Sequence, residues 1–209
     1  MNLVRYSPSR EPEAISLAFA IDGPYKLRLG HFREPDSRIH VRYVLKNESM
    51  KKLRQERVGT RAGGLYIFAV RPKGRGAGFP WYVGINEGKG QSSLYREALT
   101  NDKLRKYARA LAEEGAGSAL LYFLSPEDRR SDNIPQLETF LIWLARQRNP
   151  RLLNTKKVRL TPKVLNDHLR QHHIAGVLTS RVGKPREGTS DFRKMIGWNR
   201  AMHVGPSEN

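Results

Sequence analysis

Residues 64–70 (GLYIFAV) and residues 81–85 (WYVGI) are the two stretches of the chain that decide its fold. Both are short, apolar and rich in β-branched and aromatic side chains, which is typical of buried strands. Residues 71–80 between them contain alternate glycines with arginine and lysine, which favours a loop. The two stretches therefore predict a β-hairpin with a long connection. Because the glycines lead into a strand and not into the start of a helix, they do not form a phosphate-binding loop.

The flanking segments predict helices and further strands. Downstream of the hairpin, the apolar spacing predicts helices over residues 93–99, 102–114 and 135–148 and a buried strand over residues 118–124. Upstream, it predicts short strands over residues 14–20, 25–29 and 39–45, a turn at residues 22–24 and a short basic helix over residues 49–57. The predicted fold class is α/β, with a small, mainly antiparallel sheet flanked by helices and an N-terminal extension of further strands.

We divide the chain into a strand-rich N-terminal extension of residues 1–62, a core of residues 63–158 and a basic C-terminal extension of residues 159–209. The N-terminal extension is expected to pack on the core. From residue 151 onward there are 12 basic and 4 acidic residues, a balance of 12 − 4 = +8. This part is predicted to contain a helix over residues 162–173. It is either an arm that follows a phosphate backbone or a tail that ends in a small packed helix. The packed helix would bury Phe192, Met195, Ile196 and Trp198.

The charge of the whole chain favours a polyanionic partner. Lysine and arginine number 38 against 20 acidic residues, which gives a formal net charge of +18. Such an excess favours salt-dependent binding to phosphate backbones, so we expect nucleic acid as the partner, with DNA favoured over RNA. The chain has no cysteine, which excludes disulfides, thiolate metal sites and a cysteine nucleophile. No apolar run is long enough to cross a membrane, and we expect a cytoplasmic location.

Two tyrosines and one glutamate carry the candidate chemistry. Tyr66 and Tyr82 occupy one predicted strand each, and Glu138 is the single carboxylate of the predicted helix over residues 135–148. Hydrolysis of a phosphodiester needs a group that takes a proton from water, a cation that neutralises developing charge and a positioned backbone. Tyrosine, arginine and a glutamate-held magnesium ion supply these functions. The alternative is that the tyrosines are core aromatics and that Glu138 is a favourable charge in the first turn of its helix.

These residues resemble the motifs of the GIY-YIG nuclease superfamily. Residues 64–66 (GLY) are similar to the first motif of the family and residues 82–84 (YVG) to the second. The segment from Glu138 through Asn149-Pro150 to Asn154 and Lys156 is similar to the C-terminal signature of the family, so the resemblance covers about residues 64–157. It implies a metal-dependent endonuclease that hydrolyses phosphodiester bonds of nucleic acid.

The resemblance also implies a role for each residue. Tyr66 is the candidate general base, with a pKa lowered by the metal and nearby cations, and Tyr82 aligns the water or the phosphate. Glu138 holds one divalent ion, Mg²⁺ or Mn²⁺. Asn154 either fixes local structure or contacts the substrate. Further candidates for binding the substrate are Lys156 and Lys157.

The family pattern also includes an arginine that stabilises the phosphate. Glu97 occupies the position at which the pattern expects this arginine. Arg96, one residue earlier, is our first candidate for the catalytic arginine. Arg105 on the next predicted helix is the second, with Tyr107 as an accessory hydroxyl. Because the arginine is displaced, a catalytically silent nucleic-acid-binding module with the same fold is an alternative function. Another is a component whose cutting depends on a partner.

Overall fold

The computed structural model of the chain describes residues 16–33, 39–45, 63–73, 76–87, 93–115, 117–126, 134–156, 175–179 and 187–197. These residues form an α/β fold in which one sheet carries helices on both faces, as the sequence predicts at this coarse level. The strands are β1 (Ser16–Arg33), β2 (Ile39–Leu45), β3 (Gly63–Pro72), β4 (Phe79–Glu87), β5 (Gly117–Pro126) and β6 (Ala175–Thr179). The helices are α1 (Leu94–Ala98), α2 (Asn101–Glu114), α3 (Ile134–Arg148) and α4 (Glu187–Ile196).

The predicted hairpin of β3 and β4 lies at one end of the sheet. The strand order is β2-β1-β5-β3-β4, all of these neighbours pair antiparallel, and β6 pairs parallel with the first part of β1. In the hairpin Tyr66 pairs with Gly84 and Phe68 pairs with Tyr82, and the register shifts beyond Phe68. Since directly opposite residues point to the same side of a sheet, both candidate tyrosines lie on one face.

One long strand replaces the two short strands predicted over residues 14–20 and 25–29. β1 continues through residues 22–24, where the sequence predicted a turn, and its register with β5 shifts between Asp22 and Tyr25. An irregularity of this kind lets a strand bend without ending, because the partner strand still supplies hydrogen bonds on both sides of it. β1 lies between β5 and β2, so the N-terminal strands belong to the same sheet as the hairpin.

The C-terminal part of the chain also reaches this sheet. The sequence did not predict β6, which pairs with residues 16–20 of β1. Phe192, Met195 and Ile196 of α4 are fully buried, which agrees with the packed-helix interpretation of the tail. Arg71 of β3 and Asp191 of α4 form an ion pair at 2.7 Å that holds α4 against the sheet. The helices predicted over residues 49–57 and 162–173, and Trp198, lie outside the described residues.

The side chains of β3 divide the interior into two layers. Those of residues 65, 67 and 69 pack with α3 and α4 on one face of the sheet. Those of residues 66, 68 and 70 pack with α1 and α2 on the other face. This alternation is the two-residue period of a strand that is buried on both faces. As a result, the two candidate tyrosines face α1 and α2, whereas Glu138 belongs to a helix on the opposite face.

Candidate functional site

The ring of Tyr66 on β3 lies over Gly84, its cross-strand partner on β4. The side chain of Tyr66 is fully buried. A Cβ atom built on Gly84 would overlap the outer part of the Tyr66 ring, with Cε2 only 2.5 Å away and Cζ and Oη closer still. The ring therefore extends from β3 across the ladder toward the outer side of β4. Within the described residues, its hydroxyl is buried without a hydrogen-bond partner, which is unusual for a buried polar group.

The surroundings of Tyr66 disfavour its phenolate. Burial raises the pKa of Tyr66 far above its ordinary range, and the nearby Tyr107, Tyr82 and Glu97 raise it further. An anion is costly in an apolar environment and next to other groups that carry or acquire negative charge. The base role implied by the family resemblance requires a pKa shift in the opposite direction. The metal-free protein thus holds Tyr66 as a neutral phenol.

Tyr82 lies beside Tyr66 and closer to solvent. The centroids of the two rings are 6.2 Å apart, and Tyr82 retains 7% of its surface exposed. Its hydroxyl accepts a hydrogen bond of 2.9 Å from Nζ of Lys103 on α2. Nζ of Lys106, one turn further along α2, lies 4.5 Å from the centroid of the Tyr82 ring. The structure therefore brings together the two predicted tyrosines and adds two lysines that the sequence analysis did not select.

Tyr107 has a different position from the accessory hydroxyl that the sequence analysis considered. Its ring stacks on Phe68 with centroids 4.0 Å apart. Its hydroxyl donates a hydrogen bond of 2.8 Å to the backbone carbonyl of Ala98, at the end of α1. Burial raises the pKa of Tyr107 well above its ordinary value. Tyr107 thus joins α1 and α2 to the sheet. Its hydroxyl proton is used in the hydrogen bond to Ala98.

The two candidate arginines are both exposed. Arg96 is on α1, where its backbone nitrogen donates to Oγ of the capping residue Ser93, and its side chain is in solvent. Arg105 is exposed on α2. A helix turns by about 100° per residue, so Arg105 points about 160° away from Lys103 around α2. The described contacts bring neither arginine to the tyrosine pair.

Glu138 lies on the inward side of α3 but keeps partial exposure. It is one turn from Ile134 and one turn from Ile142, each with about 1% of its surface exposed. α3 packs mainly along β4, and Cδ1 of Ile134 lies 3.1 Å from a Cβ built on Gly63, at the start of β3. Glu138 therefore belongs to the helix on the face opposite to Tyr66 and Tyr82, beside the outer strand β4 toward which the Tyr66 ring extends.

The donor set decides what kind of metal site is compatible with this chain. Among the residues that the structure describes, no group of three or more His, Cys, Asp or Glu side chains is arranged to hold a metal ion. Magnesium is commonly held by one or two carboxylates together with water and substrate phosphate oxygens. A half-buried Glu138 fits an ion of that kind, shared with a bound phosphate. It does not fit a metal cage built by the protein alone.

Asn154 closes the outer edge of β4. Its Oδ1 accepts from the backbone nitrogen of Val83 at 2.9 Å, and its Nδ2 donates to the carbonyl of Val83 at 2.8 Å. Two residues of the same segment extend this pairing, since Leu153 donates its backbone proton to the Trp81 carbonyl and Asn149 donates from Nδ2 to the Pro80 carbonyl. The side-chain amide of Asn154 thus makes the two hydrogen bonds to Val83 that the backbone of a neighbouring strand would make. These contacts favour its structural role over a substrate contact.

Of the two remaining candidates, one lies among the described residues. Lys156 is exposed, and Lys157 lies outside the described residues. The segment before them is anchored by Arg151, which pairs with Glu114 and places its guanidinium 4.9 Å from the centroid of the Trp81 ring.

None of the described helices has the length and apolar composition that crossing a bilayer requires. Comparison of the chain with protein-family models, with curated proteins and with solved structures finds no match.

Proposed function

We propose that this protein is a metal-dependent nuclease that hydrolyses phosphodiester bonds of nucleic acid, with DNA favoured over RNA. The observation that carries the proposal is the proximity of the Tyr66 and Tyr82 rings on one face of the β3–β4 hairpin, where Gly84 makes room for the Tyr66 ring. Two phenol groups, one of them without a hydrogen-bond partner among the described residues, meet beside cationic side chains of α2. The strong positive charge of the chain supports a polyanionic substrate.

Each motif residue has a role in this proposal. Tyr82 offers its hydroxyl to the phosphate or to the attacking water, because it is the more exposed of the two phenols. Tyr66 accepts the proton of that water once its phenolate is stabilised. A divalent ion held by Glu138 and the substrate phosphate would neutralise the charge that develops during hydrolysis. Asn154 keeps β4, and with it Tyr82, in position.

The catalytically silent binding module is the second candidate function. The burial that raises the pKa of Tyr66 favours it, since a neutral phenol is a poor base. The carboxylate of Glu97 at the position of the expected arginine favours it as well. A module of this kind would bind nucleic acid through its basic surface and leave it intact.

Incubation with supercoiled plasmid and with single-stranded RNA, in Mn²⁺, in Mg²⁺ and in EDTA, separates the two functions. A nuclease cuts in the presence of metal and not in EDTA, and Glu138→Ala lowers the rate by about 100-fold or more. Glu113→Ala is the matched control, because it removes the same charge from an exposed position of α2. Binding without metal-dependent cutting, together with no effect of Glu138→Ala, would establish the silent module instead.

A further inference from the structure

Two lysines of α2 surround the exposed side of Tyr82. Nζ of Lys103 lies 2.9 Å from the Tyr82 hydroxyl and 5.0 Å from the centroid of its ring. Nζ of Lys106 lies 4.5 Å from the same centroid. A cation over the face of a tyrosine ring is attracted by the negative face of the ring. Both lysines are half-buried, so their positions are set by packing as well as by charge.

The hydrogen bond between Lys103 and Tyr82 determines what the pair can bind. A phenol has one proton to donate and lone pairs that accept, whereas an ammonium group has three protons and accepts none. Because the Tyr82 oxygen accepts from Lys103, the phenol proton is a further donor of the pair, as are the other protons of Lys103. The pair therefore presents several donors and a positive charge. An anionic oxygen, such as that of a phosphodiester, is the ligand that matches this set.

The second observation is the buried Tyr66 hydroxyl next to this pair. Within the described residues it has no hydrogen-bond partner, and its ring lies 6.2 Å from that of Tyr82. Buried polar groups are nearly always hydrogen-bonded, so the space beside this hydroxyl suits a ligand or a water molecule. The cationic pair and the unsatisfied phenol thus adjoin each other on the face covered by α1 and α2.

We infer that Lys103, supported by Lys106, is the cation that contacts the backbone phosphate, the role that the family resemblance gives to an arginine. Arg96 and Arg105 are exposed and are not brought to the tyrosines by the described contacts. Lysine can fill the role because a phosphate needs a positive charge and donors, although a single ammonium lacks the bidentate geometry of arginine. This inference rests on the proposed function and names the residue that recognises the substrate.

The test compares substitutions along α2 in the full-length protein. Lys103→Met keeps most of the apolar stem over the Tyr82 ring and removes the charge, and Lys103→Gln keeps a donor. Lys103→Arg restores the charge. Arg109→Met is the matched control, because Arg109 carries the same charge on the same helix and pairs with Glu113 in solvent. Arg105→Met tests the rival candidate. Circular dichroism verifies that each variant is folded, and Lys103→Gln replaces Lys103→Met should the latter unfold.

Two measurements are made on each variant: the affinity for a labelled DNA duplex in EDTA at several salt concentrations, and the single-turnover cutting rate in Mn²⁺. We expect Lys103→Met to lower the cutting rate by about 100-fold and to reduce the slope of log affinity against log salt by about 1. Lys103→Arg should recover most of the cutting rate and most of the salt slope. Arg109→Met should change the cutting rate little.

Equal effects of Lys103→Met and Arg109→Met would overturn the assignment while leaving the nuclease itself intact. A large loss in Arg105→Met with none in Lys103→Met would transfer the role to Arg105. A wild-type protein that neither binds nor cuts DNA or RNA would overturn the proposed function and this inference together.

Discussion

The ring of Tyr66 occupies the space that a side chain at Gly84 would fill, and the two residues pair directly across the β3–β4 ladder. This relationship gives a physical reason for a tyrosine on one strand and a glycine on the next. The tyrosine reaches the outer side of β4 only because its partner has no Cβ. Any substituent at Gly84 must displace the ring or the strand.

Gly84→Ala should therefore destabilise the protein and move Tyr66 away from Tyr82. Overpacking of a tightly filled interior costs about 1–3 kcal/mol, and the overlap here involves the ring of a fully buried residue. Urea denaturation followed by circular dichroism measures the loss in the free energy of unfolding. Gly76→Ala is the control, because the structure gives no heavy atom within 4 Å of a Cβ built there. Equal stability of the two variants would show that the Tyr66 ring lies elsewhere.

Asn154→Leu should lower the stability of the protein and leave its affinity for nucleic acid unchanged. The change removes both hydrogen bonds to Val83, and an unsatisfied backbone group costs about 1–3 kcal/mol when water cannot replace its partner. Thermal denaturation measures this loss. Thr155→Ala, at the exposed neighbouring residue, is the control, since such surface changes fall within about 0.5 kcal/mol. A stable Asn154→Leu protein that fails to bind DNA would instead make Asn154 a substrate contact.

The cutting rate should rise with pH well beyond neutrality. Burial holds the pKa of Tyr66 above its ordinary value in the metal-free protein, so the phenolate is scarce near neutral pH. Each added pH unit then raises the base form by about tenfold, which predicts a slope of about 1 in log rate against pH. Single-turnover cutting between about pH 6 and pH 9 tests this, and Tyr66→Phe should abolish the slope. A plateau below about pH 8 in the wild type would identify a base of lower pKa.

Stability should fall in alkaline solution as tyrosines ionise. The pKa of Tyr122 is raised from 10.0 to about 12, mainly by burial. Arg71 lowers this pKa and Asp191 raises it, and both effects are smaller than that of burial. The unfolded chain releases this proton first, so the contribution of Tyr122 is complete below pH 10.0 and is lost as pH rises toward about 12. A shift of this size corresponds to about 2–3 kcal/mol.

Denaturation at a series of pH values, with Tyr122→Phe as the comparison, measures this contribution. The variant should show a shallower decline of the free energy of unfolding above pH 10.0 than the wild type. Identical declines in the two proteins would contradict the assigned burial of the Tyr122 hydroxyl. Tyr66 and Tyr107, whose pKa values are also raised, should extend the decline to higher pH.

The local pattern of apolar residues was enough to predict the hairpin, the strand β5 and the helix α3. The strands are continuous apolar runs buried on both faces of the sheet, and α3 buries the apolar stripe that its helical spacing predicts. β1 was divided wrongly because Gly23 and Pro24 favour a turn locally, whereas pairing with β5 carries the strand through them. β6 was missed because a short apolar run becomes a strand here through its pairing with β1, which is distant in the chain.

The same limit applies to the site. The motif residues Tyr66, Tyr82 and Gly84 could be selected from sequence, but the burial of Tyr66 depends on how α1 and α2 cover the sheet. Lys103 has no motif of its own. Its signal was the helical period, which puts Lys103 about 40° from the buried Tyr107 around the helix and Arg105 about 160° from it. That period, applied to the choice of cation, would have favoured lysine.

The contact between β1 and β5 has a practical consequence for shortening the chain. β5 is an interior strand because β1 pairs with it on the side away from β3. A fragment that starts at residue 63 would leave a row of free backbone donors and acceptors along β5, and such rows recruit strands from other molecules. Self-association of that fragment, relieved when residues 16–33 are restored, is the behaviour this arrangement requires.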